Sequence, residues 1–421
     1  MRPTLLTSAL SVTAALTLTM AAATPASAVE LNCTVNGVTV TGTVFNGTNG
    51  DDTVSCYGYA GGTPEATVNL LGGNDTFTTT GLFGDVTVNG GDGNDTFSGS
   101  PGAGTINGDN GNDTFTLSGS NSGVTANGDN GSDTFTLSGM TSEATVNGGD
   151  GNDRFSSDIT RNLGTINGDN GNDTVSLLND WSGGVIDTGD GNDTVNPSLP
   201  PLPMGTAGII RTGPGDDQVR LPVDHGGRMD TGDGSDTINV RGYSANSGFI
   251  NSGLGLLDTI TLTGGILNIF TPATGVGNSG FINAPFLSGV TNGGIDRITL
   301  RGGTAFPPTG GNGGAANTGA VFGGDLADTI RLIGGNGGNG GNGGVANAKG
   351  GQVFGGRLID VITLTGGLGD VGNGTRAASN EPGATVNGGG IEPGSDGPAD
   401  GGLCTFNPAN QGTVTNCVTT G

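Results

Sequence analysis

The hexads Gly90-Gly91-Asp92-Gly93-Asn94-Asp95, Gly108-Asp109-Asn110-Gly111-Asn112-Asp113 and Gly128-Asp129-Asn130-Gly131-Ser132-Asp133 decide how this chain folds. The pattern returns at Gly148–Asp153, Gly168–Asp173, Thr188–Asp193, Thr212–Asp217 and Thr231–Asp236. Position four is always glycine and position six always aspartate. Two residues later stands an apolar side chain: Phe97, Phe115, Phe135, Phe155, Val175, Val195, Val219 and Ile238. From Asp75 to Asp193 all but one of the steps between these aspartates are 20 residues. A short fixed period with one apolar plug per unit predicts a stacked solenoid.

Each unit carries two strand-like segments. One precedes the hexad, as in Thr105-Ile106-Asn107 and Thr145-Val146-Asn147; the other follows it, as in Thr114-Phe115-Thr116-Leu117. The polar–apolar alternation is the period-two signal of a strand with one face buried. The fold class expected is therefore all-β, a parallel β-roll or β-solenoid with rungs of about 20 residues. With 90 glycines in 421 residues the composition alone could suggest disorder. The matched apolar positions argue against it, and the abundance of glycine, threonine and asparagine argues against helix.

The two edges of a rung differ. The hexad edge is invariant, whereas links such as Ser118–Gly123 and Asn179–Gly184 vary, so insertions belong on the variable edge. After Asp236 the polar positions fade and the rungs lengthen, with aspartates at 258, 296, 328 and 360 and a surviving Asp-x-Ile-x-Leu strand. The added residues are glycine-rich, most plainly Gly334–Gly344. Composition leaves open whether they are flexible loops or packed polyglycine strands. The divisions expected are a signal peptide at 1–28, a cap and first rung at 29–62, a regular roll at 63–245, a degenerate solenoid at 246–376, and a last rung with cap at 377–421.

The signal peptide is read from Arg2, the apolar stretch Leu5 to Ala23 and the small-x-small site Ala26-Ser27-Ala28, and it predicts secretion. No second run is apolar enough to span a membrane. Four cysteines, Cys33 and Cys56 near one end and Cys404 and Cys417 near the other, favour two local disulfides in an exported chain, although three pairings are formally open. The one histidine, His225, has no cysteine near it and is expected at the surface of a lengthened link, which disfavours zinc.

Thirteen basic against 38 acidic residues give a formal charge of −25, which disfavours nucleic acid as a partner. The aspartates also stack. Like charges on successive rungs repel, and a cation between rungs would relieve them. Calcium takes six to eight oxygen ligands, roughly, at about 2.3–2.6 Å, mixing carboxylates with carbonyls. Glycine lets the backbone bring those carbonyls in. Aspartate and glycine also form tight turns without any ion.

The hexad with its following residues resembles the hemolysin-type calcium-binding repeat of bacterial RTX proteins, Gly-Gly-x-Gly-x-Asp-x-apolar-x. Gly90–Ser98 and Gly148–Ser156 match it throughout. The resemblance implies calcium ions between successive turns. It makes Asp95, Asp113, Asp133, Asp153, Asp173, Asp193, Asp217 and Asp236 the ion-binding aspartates. Position-three Asp92, Asp150, Asp190 and Asp233 would contribute mainly backbone carbonyls. One departure is that the family's rolls carry the motif on both edges, whereas here it lies on one.

The function expected is a secreted, calcium-binding, structural or adhesive solenoid without catalysis. The acids are periodic, so no unique acid–base pair stands out, and no hydrolase or metalloprotease motif precedes the repeats. Two alternatives are an ice- or glycan-binding surface made by the outward Thr/Asn rows and a polysaccharide-active β-helix enzyme. An extracellular glycan is thus one partner class to consider beside calcium.

Overall fold

The computed structural model describes residues 31–57, 66–80, 86–121, 123–140, 143–157, 164–177, 183–196, 208–221, 225–242, 244–254, 257–264, 276–282, 295–302, 312–324, 326–337, 342–356, 359–368, 379–388, 402–407 and 411–420. Residues 1–28, read from the sequence as a signal peptide, lie outside them.

All described elements are strands, and nearly all belong to two long parallel sheets. Strands that precede a hexad form a 16-stranded sheet, from Val44–Asn46 to Thr413–Thr415; strands that follow one form the larger part of an 18-stranded sheet. The register repeats the sequence unit, pairing Thr125↔Thr145, Ala126↔Val146 and Asn127↔Asn147 on one side and Phe115↔Phe135 on the other. This is a parallel β-solenoid. Both sheets continue unbroken past residue 246, with Arg228↔Phe249 and Thr237↔Thr259 in register.

Period-two alternation sends one set of side chains into the space between the sheets. Ile106, Ala126, Val146, Ile166 and Ile186 line one wall; Phe77, Phe97, Phe115, Phe135, Phe155 and Val175 line the other, all essentially buried. Parallel in-register pairing places like on like, so the phenylalanine rings stack at centroid separations of 4.8, 4.5 and 5.0 Å from Phe97 to Phe155. Offset stacking at such distances adds to the burial.

A solenoid must blunt its end edges. At the N-terminal end Leu31–Val35 pairs antiparallel with Val38–Gly42 and with Thr53–Tyr57, setting Cys33 opposite Cys56, and the two are disulfide-bonded. At the other end Cys404 and Cys417 form the second disulfide across the strands Gly402–Asn407 and Cys417–Thr420. Both expected local bridges are present.

The described part of the glycine-rich segment is packed, hydrogen-bonded backbone outside the strands. Gly334 N–H donates to Thr365 O at 2.8 Å, Gly335 N–H to Gly314 O at 2.9 Å, and Gly367 N–H to Gly344 O at 2.8 Å. A Cβ on Gly334 or Gly343 would sit 1.8 or 1.9 Å from a neighbouring carbonyl oxygen. Backbone layers thus approach to a distance that only glycine tolerates.

His225 corrects the surface reading made from sequence. It is fully buried, with Nε2 3.3 Å from Phe249 O, and burial pushes its pKa down to about 4. It bridges to Asn246, the first of an internal ladder: Asn246, Asn278, Asn317, Asn347 and Asn380 are buried, and each Nδ2 donates to the next Oδ1 at 2.9–3.0 Å.

Candidate functional site

The hexad edge is built from backbone outward. At position four the chain takes a positive φ, +135° at Gly93 to +151° at Gly151, and a Cβ on Gly151 would meet Gly131 O at 1.6 Å. Position two keeps a left-handed conformation even where aspartate replaces glycine, with φ of +66°, +68° and +72° at Asp109, Asp129 and Asp169. Aspartate is among the few residues that tolerate it.

This turn leaves its N–H groups at positions five and six without partners in their own rung. Side chains of adjacent rungs supply them. Position-five Asn94 N–H donates to Asn74 Oδ1 at 2.8 Å, Asn112 N–H to Asn94 Oδ1 at 2.7 Å, and Asn192 N–H to Asn172 Oδ1 at 2.7 Å. Position six works in the opposite direction along the stack. Asp95 N–H donates to Asp113 Oδ1 at 2.7 Å, Asp113 N–H to Asp133 Oδ1 at 2.6 Å, and Asp133 N–H to Asp153 Oδ1 at 2.7 Å. The series continues through Asp173, Asp193, Asp217 and Asp236 at 2.7–2.9 Å. All eight position-six aspartates named from sequence therefore lie in one ladder.

Their second oxygens are in a different situation. Oδ2 of Asp95, Asp113, Asp133, Asp153, Asp173, Asp193, Asp217 and Asp236 is buried and has no hydrogen-bond partner. In the five hexads that open with glycine it points into space left by the missing side chain at position one; at Asp193, Asp217 and Asp236 the side chain of Thr188, Thr212 or Thr231 stands at that position. A Cβ on Gly128 would lie 2.1 Å from Asp133 Oδ2 and 2.4 Å from Gly148 O; one on Gly90 would lie 2.4 Å from Asp95 Oδ2, 2.6 Å from Gly108 O and 3.1 Å from Phe97 Cζ. A carboxylate oxygen and a carbonyl oxygen thus crowd one spot with no proton donor between them.

Burial is the leading cause of the electrostatic result, and neighbouring carboxylates add to it at most rungs. The pKa rises to about 6 at Asp95, Asp133 and Asp193, about 7 at Asp153, Asp173, Asp217 and Asp236, and about 8 at Asp113. Backbone N–H donors oppose the rise at every rung, joined by the Thr188, Thr212 and Thr231 hydroxyls beside Asp193, Asp217 and Asp236. Asp52, at the ladder's first rung, shows what full satisfaction does. Burial raises its pKa, but donors from Asn36 and Thr48 outweigh burial and hold it below the usual value.

The position-three acids stand elsewhere. Asp92, Asp150, Asp190 and Asp233 are exposed on the rim; Asn110 Nδ2 donates to Asp92 Oδ1 at 2.9 Å and Asn170 Nδ2 to Asp150 Oδ1 at 2.7 Å. Their carbonyls accept the position-four N–H of the preceding rung at 2.7–2.8 Å, which leaves each one lone pair. The structure does not bring their carboxylates to those of position six.

Sequence reading stopped the site at Asp236. The ladder runs further at both ends: Asp52 N–H donates to Asp75 Oδ1, Asp236 N–H to Asp258 Oδ1 at 2.9 Å, and Asp328 N–H to Asp360 Oδ1 at 2.9 Å. Oδ2 is orphaned at Asp75, Asp258 and Asp360 as well. The signal was the aspartate itself, which precedes every Ile-x-Leu strand after the rest of the hexad is lost.

In donor type this edge suits a hard cation: buried carboxylate oxygens repeated rung by rung, each beside a glycine carbonyl. Among the described residues no three His, Cys, Asp or Glu side chains converge as a metal site, so an ion here would draw on backbone carbonyls for most of its shell. No family model, curated protein or solved structure matches the chain.

Proposed function

We propose that this chain is a secreted, non-catalytic scaffold whose aspartate edge takes up calcium, which stabilises the stack at neutral pH. The run of buried Oδ2 atoms lacking any donor carries the reading. A buried carboxylate without a partner is costly, and here the cost recurs on each hexad rung from Asp95 to Asp236. Neutral pH lies near the raised pKa values, so the ladder needs either protons or a cation. Asp95, Asp113, Asp133, Asp153, Asp173, Asp193, Asp217 and Asp236 would hold the ion through Oδ2 while Oδ1 keeps its N–H partner. The carbonyls of Gly108, Gly128, Gly148 and Gly168 lie where they could join. Calcium supplies positive charge and coordination, without reaction chemistry.

The absence of catalysis in this reading is supported by uniformity. Equivalent rungs present the same acids in the same setting, and His225 is neutral and enclosed. Isothermal titration of calcium into chelator-stripped protein at pH 7.5 tests the proposal. Saturable binding of several ions per chain is the expected result; no heat beyond dilution would overturn it.

A further inference from the structure

The chain carries 13 basic residues; six described arginines stand on the outer face of the 18-stranded sheet, Arg154 on an earlier rung and five together between Gln218 and Thr365. Arg220, Arg241, Arg297, Arg301 and Arg331 all point outward from the 18-stranded sheet, alternating with buried Val219, Val240, Ile298, Leu300 and Ile330. Register sets their spacing. Arg220 lies beside Asn239 in one row that ends at Thr299, Arg331 and Thr363; Arg241, Thr263 and Arg301 form the next row. With rungs about 4.8 Å apart, Arg241 and Arg301 are roughly 10 Å from one another along the stack. Within the 18-stranded sheet no described outward position from Gln218 to Thr365 is acidic; Asp258 and Asp296, which fall within its strands, are buried. Both described ion pairs, Arg211–Asp187 and Arg228–Asp230, belong to the other sheet.

A chain of net charge −25 that gathers guanidinium groups with no ion-pair partner among the described residues on one sheet face has made a local reversal of its own field. We infer that this face, between Gln218 and Thr365, binds a linear anionic polysaccharide. Guanidinium forks pair with carboxylate or sulfate in bidentate fashion. Between the arginines lie hydroxyl rows, including Thr259, Thr261, Thr263 and Thr299, which match a polymer rich in hydroxyl groups. Modest charge density favours such a glycan over nucleic acid. The acidic remainder of the chain repels a polymer charged at every unit more strongly. The inference does not depend on the calcium reading, because it uses the outer face of the sheet rather than the hexad edge.

The test uses the full secreted chain in calcium-containing buffer, with hyaluronate, dextran and a single-stranded oligonucleotide as probes in a surface-binding assay. Hyaluronate should bind, with affinity falling as salt rises, and dextran should not. The triple variant Arg297→Gln/Arg301→Gln/Arg331→Gln should lose at least about tenfold in affinity and show a shallower salt dependence, with an unchanged thermal midpoint. The Arg211→Gln/Arg228→Gln variant, on the opposite sheet, should bind like the parent. Equal binding of dextran and hyaluronate, retained affinity in the triple variant, or tighter binding of the oligonucleotide would each overturn the inference.

Discussion

At the scale of single residues, the hexad has a division of labour. Position four is glycine because a Cβ there would enter the carbonyl of the rung before it. Position one is glycine in most hexads because the aspartate carboxyl of its own rung occupies the vacated space. Position six caps a backbone N–H with one oxygen and strands the other. Asp133→Asn tests this most locally. An amide can replace the orphaned oxygen with a donor aimed at Gly148 O, so at pH 8 in chelator the variant should be more stable than the parent by about 1 kcal/mol. In calcium it should gain less than the parent does. Chemical denaturation in both buffers measures the two quantities, and a loss of stability in chelator would contradict the assignment.

At the scale of elements, two asparagine ladders look alike in sequence and differ in consequence. Asn69, Asn89, Asn107, Asn127, Asn147 and Asn167 pair Nδ2 to Oδ1 along the outside of the 16-stranded sheet. Water can replace any lost partner there. Asn246 to Asn380 do the same in the interior, where it cannot. Asn317→Ala should therefore cost about 2–3 kcal/mol, by taking the Asn317 amide from Asn347 Oδ1 and from the Gly319 N–H and leaving Asn278 Nδ2 only its longer bonds to Gly280 O and Ala320 O. Asn127→Ala should cost less than about 1 kcal/mol. Urea midpoints of the two variants decide it, and equal costs would contradict the assignment. The outer ladder was legible beforehand, because Thr-x-Asn alternates with Val, Ile and Ala in the strand period. The inner one was not. Asn278, Asn317 and Asn347 sit in glycine-rich stretches of irregular length, and only the stacking shows that they share a line. His225 was misread for the same reason: its burial comes from Asn246 and Phe249 on the next rung, some 20 residues away.

At the scale of the whole molecule, one repeat sets both the fold and the site. Rungs stack in register even where they lengthen, so what one hexad rung from Asp95 to Asp236 lacks, its neighbours lack at the same place. The sheets, the stacked core and the disulfide caps followed from period, alternation and the cysteine positions. Continuation of the aspartate ladder to Asp360 did not, because the resemblance to a known motif ended at Asp236 while the physical arrangement went on. The same additivity makes the molecule responsive to pH. The folded pKa values of the ladder's aspartates from Asp95 to Asp236 lie at about 6 to 8, above the ordinary aspartate value of 3.8. Between those limits the folded state holds more protons than the unfolded state, so stability is fully present below about pH 4 and lost as pH rises through 6 to 8. A cation at Oδ2 replaces the proton and reverses the loss.

The thermal midpoint of chelator-stripped protein at pH 5 and pH 8, each with and without calcium, reports whether a cation takes the proton's place on the aspartate ladder. Without calcium the midpoint should fall from pH 5 to pH 8; calcium should restore it at pH 8 and change it little at pH 5. A stripped protein that is as stable at pH 8 as at pH 5, and indifferent to calcium at both, would contradict the account.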